Sequence, residues 1–279
     1  MSTPNADFHD AFTDPAYFTL CDEEATFGFS EIAPIIARLI AARGGKSLRC
    51  LEVGSGPGLL LGRLQKHFAD CRFEGLEPVG SGFAKTEAPL KVITARAGLT
   101  IHRAGYEDFR PEDAYDLVFS INVFEHVADW RDYLTRTHGW LAAGGESVIL
   151  CPNYSFPWEP HFRLPIIVGK ALTHRVFTRA ISAYERDHDY GGLWASLNFV
   201  TKAQVLRYAR TAGLKLSSDE TVMRRMFARL FTDPAFARRQ RALAGVAKVL
   251  YRSGLTRILE LPGVRLLSPF MALKLRRET

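Results

Sequence analysis

At 279 residues, with 47% hydrophobic and 24% charged side chains, the chain has the composition of an ordinary globular protein, which excludes a disordered or collagen-like one. Its net charge of +6 is unevenly placed: from Thr201 onward there are 17 Lys/Arg against 5 Asp/Glu, leaving 19 against 25 in residues 1–200. Met1–Asp14 lacks a basic-then-apolar leader pattern, and the most apolar stretch, Leu164–Ile181, is interrupted by Lys170, His174, Arg175 and Arg179, so the expectation is a cytoplasmic chain that does not cross a bilayer.

The first helical pattern runs from Glu31 to Arg43, with Ser30 as N-cap and Gly44-Gly45 as its stop. A strand over Leu48–Val53 then enters Gly54-Ser55-Gly56-Pro57-Gly58, and a helix follows over Leu59–Phe68. The glycine spacing is G-x-G-x-G, with Leu59 where a dinucleotide fingerprint needs a third small residue, and no Gly-Lys-Ser/Thr ending is present to make a phosphate loop. A second strand ends at Leu76-Glu77-Pro78, where a carboxylate can accept both hydroxyls of a ribose. Phe83–Arg96 reads as helical or irregular, Leu99–Arg103 and Tyr115–Ile121 as strands, Trp130–Leu141 as a helix stopped by Gly144-Gly145, and Ser147–Cys151 as a fifth strand. Pro152–Leu197 is rich in proline, aromatics and histidine and reads as an insertion. Lys202–Ala212 is a helix stopped by Gly213, and Leu214–Leu216 a strand. Pro234–Arg252 follows as a helix with Phe236, Leu243, Val246 and Leu250 on one face and Arg238, Arg241, Lys248 and Arg252 on another, before the apolar Leu255–Leu275. Cys21, Cys50, Cys71 and Cys151 show no C-x-x-C or metal spacing and read as buried thiols in a reducing compartment. Strands alternating with helices imply an α/β, doubly wound, mainly parallel sheet whose ligands bind beyond the carboxyl ends of the strands.

The octapeptide Leu51–Gly58 resembles motif I of the class I S-adenosylmethionine-dependent methyltransferases, and Leu76-Glu77-Pro78 resembles their ribose-binding strand end. Ala104–Phe109 is similar to the segment that contacts adenine. Tyr115–Val127, ending in Glu125-His126-Val127, resembles strand four and its loop in the small-molecule branch that includes ubiquinone-type O-methyltransferases. The resemblance covers Leu48–Leu216, with Ser55 and Pro57 standing where Cys and Thr are frequent. It implies a Rossmann-like seven-stranded sheet, a helical insertion after strand five, a helical basic C-terminal extension, and S-adenosyl-L-methionine as cofactor. By residue, it implies backbone contact at Gly54, Ser55, Gly56 and Gly58, and the ribose at Glu77 with Pro78. Tyr106 and Glu107 then address adenine, Asn122 faces the methionine end, and Glu52 orients the turn.

A hydroxyl acceptor needs a proton acceptor, and an imidazole of near-neutral pKa at His126 or His161 suits that task. His188, within Asp187-His188-Asp189-Tyr190, either pairs with the acids in a lid or is solvated; the histidine and acid spacing supports no metal site. The basic C-terminal region fits peripheral contact with anionic membrane and a small or lipid-like methyl acceptor; no RNA-binding module accompanies the charge. The expected organisation is a helical cap over 1–47, a cofactor-binding core over 48–151, a substrate-covering insertion over 152–197, the end of the core over 198–218, and the basic extension over 219–279. A cofactor-binding scaffold without turnover is the alternative reading. An NAD-dependent oxidoreductase is opposed by Leu59 and by the lack of Tyr-x-x-x-Lys.

Overall fold

Asp14 starts the first helix, α1 (Pro15–Ala42): its Oδ1 accepts from the amides of Ala16 and Tyr17 at 2.9 and 3.2 Å, and Pro15 fills the first turn, where no amide is needed. The sequence places this start at Ser30, but Ser30 Oγ donates back to the Phe27 carbonyl inside one continuous helix. Pro34 is accommodated within it at the cost of the single amide that would have bonded the Ser30 carbonyl. By length and composition α1 is long and apolar enough to cross a membrane. Its Ile32, Ile36 and Leu39 are nevertheless buried, and a Cβ on Gly28 would lie 2.5 Å from Leu60 and 2.6 Å from Ile121, so it is a core helix.

The computed structural model describes residues 6–78, 84–188, 190–240 and 242–278; the first five residues of the acidic N-terminus, Phe83, Asp189 and Arg241 lie outside them. The chain divides into two compact units, Met1–Val123 with Asp129–Val148 and Arg276–Thr279, and Phe124–Ala128 with Ile149–Leu275. In the first unit, α1 is followed by β1 (Arg49–Val53), α2 (Leu59–His67), β2 (Arg72–Leu76), α3 (Ala84–Ala97), β3 (Thr100–His102), β4 (Tyr115–Ile121), α4 (Trp130–Gly139) and the beginning of β5 (Leu141–Pro152). β1 pairs in parallel with β2, from Arg49↔Arg72 to Val53↔Leu76, and with β4 through Leu51↔Val118. Leu51, Cys50, Leu117, Val118 and Phe119 are completely buried, as the continuous apolar runs of a parallel sheet covered on both faces require.

The second unit carries a two-stranded antiparallel hairpin, β6 (Trp158–Glu159) and β7 (Leu164–Pro165), then α5 (Lys170–His188) and α6 (Leu193–Ser196). These enclose an aromatic cluster of Tyr154, Phe162, Ile181, Trp194 and Leu197. α7 (Lys202–Thr211) opens on a capping box between Thr201 and Gln204 and leads to β8 (Lys215–Ser218). Then come α8 (Val222–Thr232), α9 (Pro234–Gln240), α10 (Ala242–Arg252), two short 3-10 turns and β9 (Phe270–Arg276).

The seven main strands are ordered β3-β2-β1-β4-β5-β9-β8, with β5 contributing to both units. β9 runs antiparallel to β5, since Gly144 N donates to Arg277 O while Asn153 N donates to Pro269 O. The expected C-terminal extension is therefore helical only from Val222 to Leu267, after which the chain returns to the sheet. Phe270–Leu275 is a short apolar run with no alternation, a pattern that does not separate a buried strand from a buried helix. Gly144-Gly145 lie inside β5 rather than closing α4, which ends at Gly139. Along the expected apolar face over Pro234–Arg252 burial is uneven: Phe236 is 8% exposed and Val246 60%.

Glu74, in β2, is completely buried and takes hydrogen bonds from Arg49 Nε at 2.7 Å, His102 Nε2 at 2.8 Å and Tyr115 Oη at 2.9 Å. Burial alone would raise its pKa, but these donors, with Arg49 foremost, hold it down at about 2. A carboxyl whose folded pKa is depressed stabilises fully above its ordinary value near 4.5 and loses that contribution as pH falls toward 2. Glu74→Gln is expected to cost about 2 kcal/mol at neutral pH and to flatten the acid limb between those two values. Urea denaturation followed across pH 2–7 measures both.

Candidate functional site

The glycine turn after β1 is built by the backbone. Gly54 has φ +71° and its amide donates to the Leu76 carbonyl at 2.7 Å; a Cβ there would lie 2.4 Å from Val123. Gly56 has φ +51°, and a Cβ there would meet nothing within 4 Å, so the turn presents bare backbone to open space. Gly58 supplies the left-handed residue at which α2 begins, its amide bonded to the Ser55 carbonyl at 2.9 Å. Glu77, 8% exposed just beyond β2, accepts from the Gly56 amide through Oε2 at 2.7 Å, while its own amide donates to His102 O; Pro78 is exposed beside it. The two strand ends that the sequence marks are thus joined directly.

Two buried polar atoms here have no hydrogen-bond partner among the described residues, Glu52 Oε2 and Ser55 Oγ. Glu52 is 4% exposed, and its pKa is pushed well above the usual carboxylate range, first by burial and then by the neighbouring charges of Glu77 and Glu24. Open space over bare backbone, orphaned polar atoms and excess negative charge fit a polar ligand carrying positive charge. Asn122, just past β4, is a non-glycine residue with φ +53°, a conformation asparagine tolerates, and its Nδ2 donates to Glu24 Oε1 of α1 at 3.4 Å. Glu24 had no signal in the sequence, since it lies before the helix start expected at Ser30.

Tyr106 is buried, packs edge-on against Tyr133 at 5.2 Å and donates its hydroxyl to the Asp129 carbonyl at 3.1 Å. Burial raises that hydroxyl to about 12. The side chain is committed to the fold, which leaves the backbone for ligand contact, whereas Glu107 is exposed.

In the second unit, Phe124–His126 forms a 3-10 turn held by Asn198. The Asn198 amide donates to Glu125 O at 2.7 Å, and Nδ2 donates to Phe124 O at 2.7 Å and Val127 O at 2.9 Å. Glu125, completely buried, and His126 are carried on this turn. His161 approaches from the loop between β6 and β7, with its ring centroid 5.2 Å from that of His126 and Nε2 3.9 Å from Glu125 Oε1. His161 Nδ1 lies 2.7 Å from Glu159 Oε1, and Glu159, also completely buried, accepts from the Phe162 amide at 2.6 Å and from Tyr154 Oη at 3.3 Å. His126 Nδ1 lies 2.8 Å from Ser196 Oγ.

This cluster corrects one expectation, the near-neutral pKa of His126. Burial and the adjacent His161 lower the pKa of His126 to about 3, so it stays neutral rather than titrating near neutrality. The ligating atoms of Glu125, His126 and His161 all lie within 4.8 Å of one another, although the sequence offers no metal spacing. His188 does not join them: it stacks on Tyr184 at 4.1 Å and its Nδ1 donates to the Tyr184 carbonyl within its own helix.

The methyltransferase-domain family matches residues 25–218, and the chain belongs to that family. An uncharacterized protein of Mycobacterium tuberculosis is 36% identical over 220 residues, which is 78% of this chain and 73% of that protein. A ubiquinone biosynthesis O-methyltransferase of Ruegeria pomeroyi is 28% identical over 172 residues, 60% of each chain. The fold is shared with the plantazolicin methyltransferase solved with S-adenosylhomocysteine and a substrate analogue, at TM-score 0.55 and 11% identity over 99% of this chain and 95% of the other.

Asn198→Ala removes the two Nδ2 bonds to the turn and the Oδ1 bond to the Val200 amide. A loss of about 3 kcal/mol is expected at roughly 1 kcal/mol per bond, measured by chemical denaturation. A loss below about 0.5 kcal/mol would mean that other contacts hold the turn.

Proposed function

We propose that the protein is a methyltransferase that moves the methyl group of S-adenosylmethionine to the oxygen of a small or lipid-like acceptor. The observation that carries the cofactor assignment is the Glu77 carboxylate bonded to the Gly56 amide at 2.7 Å beside a bare glycine backbone and the buried Glu52, whose pKa is raised. The cofactor supplies an activated methyl on a positively charged sulfur, so the chain's task is positioning. Gly54, Ser55, Gly56 and Gly58 hold the ligand by backbone approach, Glu77 with Pro78 takes the ribose hydroxyls, and the backbone at Tyr106 with Glu107 addresses adenine. Asn122 faces the methionine end, and Glu52 and Glu24 balance its positive charge.

The case for oxygen comes from the Glu125–His126–His161 cluster. A neutral imidazole such as His126 engages a hydroxyl, and Glu125-His126 follow Asn122 by three and four residues in the chain. A lipid-like acceptor is favoured by the C-terminal region, where Val246, Val249, Leu255, Ile258, Leu261 and Leu267 are each 47–66% exposed among Lys248, Arg252, Arg257 and Arg265. Apolar side chains interspersed with cations suit an anionic membrane surface.

Calorimetry tests the cofactor. S-Adenosylmethionine should bind the wild-type chain, and Glu77→Ala should weaken it about tenfold, the worth of one charged hydrogen-bond pair; unchanged affinity removes the ribose assignment. A cationic ligand favours ionised Glu52, whose free pKa is raised, so binding releases a proton and tightens as pH rises above the ordinary carboxylate range. Glu52→Gln should abolish that release, read from the dependence of the measured heat on buffer ionisation. For the acceptor, flotation with vesicles containing phosphatidylserine should recover the protein at low salt and lose it at high salt; no salt-sensitive recovery leaves only a solvated basic face.

A further inference from the structure

The hydrogen bonds around the two histidines fix which nitrogen of each carries the proton. Ser196 Oγ donates its only proton to the Leu193 carbonyl at 2.7 Å, so toward His126, 2.8 Å away, it acts as acceptor, and His126 Nδ1 is protonated. His161 Nδ1 faces Glu159 Oε1, a carboxylate buried with a backbone amide and a tyrosine hydroxyl as further donors, so it too is the protonated nitrogen. Each ring therefore spends Nδ1 on an outer hydrogen bond, one to a hydroxyl and one to a carboxylate, which makes Nε2 the ligating nitrogen of each. This is the arrangement in which metal-ligating histidines are found. The third group is Glu125, on the turn that Asn198 clamps, with Oε1 3.9 Å from His161 Nε2.

From this geometry we infer that Nε2 of His126, Nε2 of His161 and a carboxylate oxygen of Glu125 form a site for one divalent transition-metal ion. Two imidazoles and one carboxylate are a ligand set for zinc and for iron(II), and three protein ligands leave a coordination position open. Bonds of about 2.0–2.2 Å place neighbouring ligand atoms roughly 3–3.5 Å apart; the ligand atoms of the three residues all lie within 4.8 Å of one another and draw together to reach that spacing. The inference deepens the proposed acceptor chemistry, and its role there rests on that reading, whereas the binding itself does not. In that role the open position takes the acceptor oxygen and lowers its pKa, the hydroxyl proton passing to solvent, so that His126 and His161 act as ligands and need not titrate.

The test uses the full chain, free of any histidine tag and stripped with a chelator, titrated with Co2+ and read by visible absorption, with Zn2+ as competitor. One saturable equivalent per chain with ligand-field bands is expected. His126→Ala and His161→Ala should lose it, and Glu159→Gln, which changes the group facing His161 Nδ1 rather than a ligand, should weaken it about 10–100-fold. The His161 side chain is 24% exposed, so its truncation is the change the fold absorbs most easily; circular dichroism and retained S-adenosylmethionine binding verify that variant. Absence of a saturable equivalent in the wild-type chain, or equal Co2+ binding by the double variant His126→Ala/His161→Ala, overturns the site. Stoichiometric metal without methyl transfer to any hydroxyl acceptor overturns the proposed function and leaves the metal site standing. Undiminished methyl transfer by the stripped chain overturns the metal's role at the acceptor.

Discussion

Burying carboxylates is the constraint around which this molecule is organised. Seven glutamates are under 9% exposed among the described residues: Glu31, Glu52, Glu74, Glu77, Glu125, Glu146 and Glu159. An ionised carboxylate is costly to remove from water unless it is paired and hydrogen-bonded. Three of the seven meet that requirement with cations or strong donors. Glu74 has Arg49, His102 and Tyr115; Glu146 has Arg38 at 2.5 Å and Arg276 at 3.0 Å; Glu159 has His161, Tyr154 and the Phe162 amide. These hold strands and loops in place. At the glycine turn Glu77 accepts the Gly56 amide, and burial with the neighbouring charges of Glu77 and Glu24 pushes the Glu52 pKa up.

The parts legible in the sequence are those whose chemistry is local. Gly54, Gly56 and Glu77 are readable because a left-handed turn at a strand end admits few residue types, and because parallel pairing of β1 with β2 places Val53 beside Leu76, bringing both motif ends to one edge. The strand–helix alternation is legible through hydrophobic runs for the same reason. What was not legible is whatever depends on distant segments meeting. β9 reads as a featureless apolar tail until a register partner is supplied by β5. Ser30 has the right residue type for an N-cap, but a longer helix capped by Asp14 absorbs it.

The histidine cluster shows the same limit in its sharpest form. Glu125 and His126 are adjacent, but His161 arrives from a hairpin loop, Ser196 from the end of α6 and Asn198 from the segment before α7. No spacing rule connects those positions. Even the pKa expectation fails for this reason: an imidazole judged alone sits near neutrality, while one packed beside a second imidazole, away from water, does not.

The two candidate sites differ in the charge they are built to receive, and this assigns their ligands. The first offers carboxylates, among them Glu52, whose proton a cation would displace, together with a glycine backbone that lets a large organic ligand approach. A metal ion is the poorer occupant there, since Glu77 Oε2 is already committed to the Gly56 amide. The second offers two imidazole lone pairs and one carboxylate, a soft, compact donor set with its outer hydrogen bonds already made. An extended sulfonium ligand gains nothing from imidazole lone pairs, whereas a borderline divalent ion matches them. The proposed cofactor at the glutamate-lined turn and the proposed metal at the histidines each meet the donor set that suits them.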